Sequence, residues 1–520
     1  MAVAPSDRCD TSSLLRSGET CWRSSDAHRA TLLVDGEEYY GALRAALLQA
    51  RKLILIAGWD FDSRTELPPP RQCDHASDET HSAPTQLGEL LGYLLRTRPG
   101  LQIHVVRWAY HWLYRDDRET DTRQQLERQG VRYHEDNRHP TTGCVHHKVV
   151  VIDDALAFCG GIDLTHNRWD SRQHDPQNPL RRDHNGKAYM PVHDTQLCVS
   201  GPAAADLGIY LRENWPDFEP PVRVQASEEL WPSHLPIHFY NIRTGLCRTL
   251  PAPPQEASVR EVEAFYLAAI GRTQRSLYLE NQYFTCTHIA EAIAARCRAA
   301  PELQGLLVGM VRPKTAVELH TMGYGLRRFY SVLARTGAIF RVPLTAAVHD
   351  SAGINLHSKL AMFDDRWLTV GSANLNRRSM GFDVECNLVL EASTAEHRQR
   401  MEQLRHDLIA EHLGMQPSAV ASFIRSRGLA RAPEAASGPR RLIHLRPDEL
   451  APHFGPLLAP LFDRDRGWTP PAATLPDFVW RSGLLPLTTM TLIALSGAAL
   501  WDDLPTLAAL QRSFGLMFDS

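Results

Sequence analysis

An α/β fold of two pseudo-symmetric halves is predicted by three observations. The pattern His-x-Lys-x4-Asp occurs twice, at His146, Lys148, Asp153 and at His357, Lys359, Asp364, 211 residues apart. Each copy has a glycine 14 residues after its histidine (Gly160, Gly371) and a polar residue 17 after it (Asp163, Asn374). Around both copies, apolar segments of helical period alternate with short β-rich runs in the same order, which is the pattern of α/β sandwiches.

The elements follow in order. Residues 1–28 are polar and irregular and read as an arm. Asp35-Gly36 marks a turn, after which Tyr39, Leu43, Ala46 and Leu47 share one face of a helix running through Ala50. Residues 53–57 read as a buried strand opening into Gly58-Trp59-Asp60-Phe61. A loop rich in Pro, Ser, Thr and Asp (63–85), a helix (86–96) and a strand (101–108) come next. Residues 148–152 carry the first motif and 157–159 continue it.

The second half repeats this sequence of elements. It has a helix (259–270), a strand (276–279) opening into Glu280-Asn281-Gln282-Tyr283-Phe284, a helix (288–299), a strand (306–311), a long helix (316–336) and a strand (338–342). Residues 357–363 carry the second motif, and 367–370 lead into Gly371-Ser372-Ala373-Asn374. The predicted organisation is therefore a first α/β/α sandwich half over 29–218, a proline-rich linker over 219–254, a second half over 255–415 and a tail over 416–520.

The tail reads as a Pro- and Arg-rich linker (425–482) followed by 19 uncharged residues, 483–501, bounded by Arg481 and Asp502. That length just reaches a membrane span, weakened by Pro486 and by several Thr and Ser residues. Two readings stand: an anchor with its N-terminal side in the cytosol, which Arg481 would favour, and a buried or interfacial helix.

Whole-chain composition excludes several classes. Hydrophobic content of 43% and charged content of 22% are globular values, and a net charge of −4 offers no basic field for nucleic acid. Ten cysteines without a C-x2-C pair favour free thiols in a reducing compartment. No apolar run follows a basic start, so no cleavable leader is read and the body is expected to be cytosolic. A specialised secretion route, which needs no leader, stays compatible.

The repeated motif carries the chemistry. Only five of the 56 basic residues are lysines, and two of them lie in the motif. Chance would give roughly 0.01 copies of the pattern in such a chain. A compact ammonium on a flexible stem suits a non-bridging phosphate oxygen where a wide guanidinium would not. On a strand, His and Lys two apart share one face. Two such half-sites would let one imidazole attack phosphorus while the other protonates the leaving alkoxide, with no metal or other cofactor required.

A catalytic imidazole needs an acceptor on its second nitrogen, and Asp194 (in Met190-Pro-Val-His-Asp) and Glu385 are the downstream carboxylates available. Asp153 and Asp364 complete the motif, end their strands, and read mainly as holding loops or lysines. Gly160-Gly161 and Gly371-Ser372 read as close-approach turns, with Ser372 a candidate donor to phosphate. His134, His139, Cys144, His146 and His147 cluster in sequence, but the second copy has no counterpart and the spacing fits no standard zinc site. Trp59, Trp169, Tyr283 and Phe284 are read either as core or as the lining of a lipid groove.

These residues resemble the phospholipase D superfamily, and within it the two-motif phosphatidyltransferase branch. The stretches HHKVVVIDDALAFCGGIDLTHNRWD from His146, MPVHDTQLCVSGPAAADL from Met190, LYLENQYF from Leu277 and GSANLNRR from Gly371 carry the resemblance, which covers about residues 30–415. It implies a phosphohistidine mechanism on a glycerophospholipid, giving phosphatidic acid or exchanging the head group. It implies His146 as nucleophile and His357 as general acid, with Asn374 at the phosphate and Asp163 standing in its place in the first half; Ser372 and Gly161, from the turns, are further candidates for phosphate contact. The expected partner is a phospholipid membrane surface reached from the cytoplasm by a monomer, peripheral or anchored. Head-group hydrolysis or exchange is the leading expectation. A nuclease-type phosphodiesterase and a cardiolipin-synthase-like phosphatidyltransferase are the alternatives.

Overall fold

The computed structural model describes residues 13–68, 82–109, 118–137, 139, 143–215, 230–252, 256–311, 322–350 and 352–446, all within one compact unit, Met1–Gly467. The stretch 483–501 lies outside them. Among the described residues, no helix is long and apolar enough to cross a membrane.

The first half runs β1 (Arg23–Val34), α1 (Asp35–Leu47), β2 (Leu53–Gly58), α2 (Leu87–Thr97), β3 (Gln102–Trp108), α3 (Arg118–Arg128), β4 (Arg132–Asp136), β5 (Val149–Ile152), β6 (Leu156–Gly160), β7 (Val192–His193), β8 (Thr195–Ser200) and α4 (Pro202–Glu213). The second runs β9 (Phe239–Leu250), β10 (Val259–Arg260), α5 (Glu261–Arg272), β11 (Ser276–Asn281), α6 (Thr287–Ala299), β12 (Gln304–Gly309), α7 (Tyr324–Arg335), β13 (Leu344–His349), β14 (Ala352–Gly353), β15 (Asn355–Leu356), β16 (Lys359–Phe363), β17 (Trp367–Gly371), α8 (Arg377–Gly381), β18 (Glu385–Glu391) and α9 (Ala395–Leu413). After it come α10 (Pro417–Arg427) and β19 (Arg440–His444).

Strand pairing is the same in both halves. Hydrogen-bonded neighbours run β4-β3-β2-β5-β6-β8-β1 in the first and β13-β12-β11-β16-β17-β18-β9 in the second, the first three strands of each parallel and the rest antiparallel. β1 and β9 then pair with each other, from Arg23↔Leu246 to Ala30↔Phe239, so the two halves form one continuous sheet.

The strands beneath the helices, such as β2 (LILIAG), are buried along their whole length, as helix-covered parallel strands require. α1 buries Tyr39, Leu43, Ala46 and Leu47 and carries Asp35, Glu37 and Glu38 in its first turn, where the helix dipole favours anions. α9 is capped at both ends: Thr394 accepts from the His397 N–H, and Gly414 closes it at φ 62°. One apolar core draws on both halves, with α4 and α9 packed into it; a second core lies under α5 and α6, and a third under α1 and α2.

Four expectations change. The proposed arm becomes strand β1 from Arg23 onward, and ahead of it Ser13 donates to Glu391 at 2.5 Å while Leu14 and Leu15 are buried. Within the proposed linker, Phe239–Leu250 is a twelve-residue strand at the centre of the sheet. The start of the tail is packed structure, since β19 pairs with β13 and Val420 of α10 is buried. The strand expected at 338–342 lies at Leu344–His349 instead. Gly337 (φ 69°) ends α7, a single 3-10 turn follows over Ala338–Phe340, and Pro343, which has no N–H, precedes the strand.

Candidate active site

Each motif is brought to the other half's carboxylate by one short stretch of parallel pairing. Val145 bridges Val384 in parallel, and the His146 N–H donates to the Val384 carbonyl at 2.8 Å. The next residues on the two chains are His146 and Glu385, and His146 Nδ1 lies 3.0 Å from Glu385 Oε2. Likewise Leu356 pairs with His193, the His357 N–H donates to the His193 carbonyl at 2.8 Å, and His357 Nδ1 lies 2.7 Å from Asp194 Oδ2. Each histidine is thus held through Nδ1 by a carboxylate from the opposite half. Both rings are only slightly exposed, and both carboxylates are buried.

The lysines are held in matching ways. Lys148 Nζ donates to the His146 carbonyl at 2.6 Å and lies 3.2 Å from Asp163 Oδ2; Lys359 Nζ donates to the His357 carbonyl and, at 3.0 Å, to Gln282 Oε1. Burial pulls Lys359 down to about 7 against the pull of Asp194. Burial together with the Lys148 and Lys359 ammoniums holds the His146 imidazole well below its usual range. Burial pushes Glu385 up to about 7 and Asp194 up to about 6, with Ser372 opposing it at Glu385 and Lys359 at Asp194. An ammonium of the second half therefore acts on the histidine of the first, so the two motifs belong to one charge cluster.

Other residues singled out in the sequence sit differently. Ser372 is fully buried and donates to Glu385 Oε2 at 2.5 Å, so its hydroxyl positions that carboxylate instead of facing phosphate. The Gly161 N–H is spent on the Thr195 carbonyl at 3.0 Å, and a Cβ at Gly161 would collide with the Asp194 carboxylate. What the position supplies is room for the orienting group. Asp163 accepts from the Trp59 and Asp60 N–H groups besides meeting Lys148, which makes it a brace for the lysine. Asn374 is 4% exposed, and its Oδ1 has no hydrogen-bond partner among the described residues.

Asp153 and Asp364 stand at the far ends of their strands. Asp153 accepts from the N–H groups of Arg51, Lys52 and Leu53 at 2.7–2.8 Å, and Asp364 from those of Gln274, Arg275 and Ser276 at 2.6–2.9 Å. Both adopt φ 51°. They tie β5 to the start of β2 and β16 to the start of β11, and touch no motif histidine. Asp153→Ala is expected to cost about 2–3 kcal/mol of stability by stranding these donors. A thermal melt checks this; a melt unchanged from wild type would refute the anchoring role.

The aromatic residues divide. Trp59 stacks on Trp108 at 5.8 Å and stands edge-on to His146 at 6.5 Å, beside the first motif. Phe284 is core against Phe329, and Tyr283 and Trp169 are partly buried against the cores. The clustered histidines of the first motif disperse: His134 stacks on His104, His139 bonds Trp108, and His147 turns away to the Tyr210 hydroxyl at 2.7 Å.

Residues 266–407 match the family model described as cardiolipin synthase, PLD-like domain. Cardiolipin synthase B of Salmonella typhi is 26% identical over 252 residues, 48% of this chain and 52% of that protein, so the chain spans about half the length of this relative. Cardiolipin synthase A of Pseudomonas putida is 28% identical over 402 residues, 74% of this chain and 68% of that protein. The crystal structure of phosphatidylserine synthase from Haemophilus influenzae superposes with a TM-score of 0.51 at 13% identity, covering 77% of this chain and 93% of that one, a likeness of fold. The family model and these relatives all indicate the phospholipase D superfamily.

Three contacts escaped the sequence reading. Gln282 fixes Lys359, and the signal was its place in the Glu-Asn-Gln run at the end of β11. Asp383 binds Arg378 at 2.6 Å and accepts from the Cys144 N–H at 3.0 Å, which fastens α8 to the approach of the first motif. A third group, centred on His193, is buried behind Asp194, with Glu411 on one ring nitrogen and Glu280 on the other.

Proposed function

We propose that this chain is a phosphatidyltransferase of the cardiolipin synthase kind, working through a phosphohistidine at His146. The observation that carries the chemistry is the reciprocal pairing of His146 with Glu385 and His357 with Asp194, beside two lysines. The choice of transfer over hydrolysis to phosphatidic acid, the leading expectation from sequence, rests on the cardiolipin synthases among the relatives.

The steps follow from the residues. His146, kept neutral by burial and two ammoniums, attacks phosphorus through Nε2 while Glu385 balances the positive charge that forms on the ring. The bond from phosphorus to the departing alcohol breaks, and His357 gives its Nε2 proton to that oxygen. His357, now neutral, accepts the proton of an incoming hydroxyl, whose oxygen displaces His146 from phosphorus. Lys148 and Lys359 offset the charge growing on the non-bridging oxygens, and the Asn374 amide is the further contact proposed for them. Cardiolipin is two phosphatidyl groups on one glycerol, so the acceptor is a glycerol hydroxyl of a second lipid at the membrane surface.

Purified protein is to be incubated with phosphatidylglycerol vesicles and the products resolved by mass spectrometry. Cardiolipin plus released glycerol is expected in excess over phosphatidic acid. Phosphatidic acid alone would return the hydrolytic reading, and unchanged lipid would remove both.

A further inference from the structure

We propose that the chain holds a structural divalent transition-metal ion of the zinc class at Asp35, His174, His193 and Glu411, directly behind the His357 arm of the site. All four side chains are buried, and their donor atoms lie within 4.8 Å of one another. His174 Nε2 is 3.4 Å from Asp35 Oδ2 and 3.1 Å from Glu411 Oε1; His193 Nδ1 is 3.2 Å from Asp35 Oδ1 and 2.7 Å from Glu411 Oε1. Nitrogen and oxygen ligands about 2.0–2.1 Å from a tetrahedral zinc stand about 3.3 Å apart, close to these separations.

Proton placement favours a metal over a set of hydrogen bonds. His174 Nδ1 meets Asp170 Oδ2 at 3.0 Å, and Asp170 also takes the Val192 N–H and Arg181. His193 Nε2 meets Glu280 Oε2 at 2.9 Å. Each imidazole thus has its outer nitrogen on a carboxylate, the arrangement that fixes a metal-binding histidine, and turns its inner nitrogen toward Asp35 and Glu411. Two extra protons on the inner nitrogens would both aim at Glu411 Oε1. They would leave Asp35 Oδ2, in a residue 1% exposed, with no hydrogen bond, as it stands. One divalent ion among the four donors satisfies that oxygen as well.

The position gives the ion a task. Asp35, His174 and His193 come from the first half and Glu411 from α9 of the second, so the ion clamps the halves together. The His193 carbonyl receives the His357 N–H, and the following residue, Asp194, orients that ring. With four protein ligands there is no open position, so the ion is outside the phosphoryl-transfer steps. The neighbouring group of His193, Glu280 and His412 is closed instead by hydrogen bonds, with Glu280 Oε1 taking His412 Nε2 and the Tyr278 hydroxyl.

The test uses the full chain stripped with a chelator and dialysed against zinc or cobalt(II). About one zinc per chain by elemental analysis is expected, together with a visible tetrahedral cobalt spectrum and a higher melting temperature than the stripped protein. His174→Gln and Glu411→Gln should each lose the metal and the thermal shift, while His146→Asn keeps both. Stripped wild-type protein that takes up neither ion and melts unchanged overturns the proposal, as does a Glu411→Gln variant with full zinc content. These readouts are independent of the lipid reaction, so a failed activity assay and a failed metal assay have separate meanings.

Discussion

His146→Asn is expected to lower phosphatidyl transfer by at least about 10⁴-fold, with the fold and the melting temperature preserved. The loss is large because, among the described residues, His357 is the one other motif histidine with an orienting carboxylate, and it is committed to the leaving oxygen. His357→Asn should be comparably inactive on a natural head group but for a different reason. A phosphatidyl ester of p-nitrophenol separates the two, since that leaving group departs without a proton. His357→Asn should then release about one equivalent of nitrophenolate in a burst and stall as a covalent phosphohistidine, because no base remains for the acceptor. His146→Asn should give no burst. The reverse pattern would assign the nucleophile to His357.

The sequence carried the two motifs and the alternation of elements around them, but not how the halves join. The twin motifs and the alternation of helical and β periods made two α/β units legible, because both signals are local. The union of the units is non-local. β9 lies in a region whose prolines suggested a linker, yet Phe239–Leu250 is a central strand whose partners, β1 and β18, are far away in the chain. The crossed pairing of His146 with Glu385 and of His357 with Asp194 depends on two short parallel bridges between halves, for which no spacing rule exists. Ser372 was read toward phosphate from its place beside a glycine turn. Antiparallel pairing of β17 with β18 brings it to Glu385 thirteen positions on, and a buried carboxylate takes the hydroxyl first. The His193 group was invisible for the same reason: Asp35, His174, Glu280 and Glu411 converge on it only after the sheet has closed the distance between them.

Glu385→Gln is the second substitution with a large expected effect, and its two consequences have opposite signs. Activity should fall by about 10²- to 10⁴-fold, since an amide cannot balance the imidazolium that forms at His146. The acid limb of wild-type kcat/KM should follow the ionisation of Glu385, pushed up to about 7, and the alkaline limb the loss of the Lys359 proton, pulled down to about 7. On the acid limb the Glu385 proton is donated to His146 Nδ1, which places the ring's own proton on Nε2 and removes the attacking lone pair. The Glu385→Gln variant should lack that acid limb. Stability runs the other way. The folded pKa of Glu385, about 7, lies above its ordinary 4.5, so folding favours the protonated form. The stability this confers is complete below pH 4.5 and is lost as pH rises through 7, a cost on the order of 3 kcal/mol at pH 8. The amide that replaces the carboxyl carries no such charge, so the variant should match wild type in melting temperature at pH 4.5 and exceed it at pH 8. A gap that stayed constant between those pH values would mean that Glu385 is not a buried, desolvated carboxyl, and the same result would remove the reason for the acid limb of the activity profile.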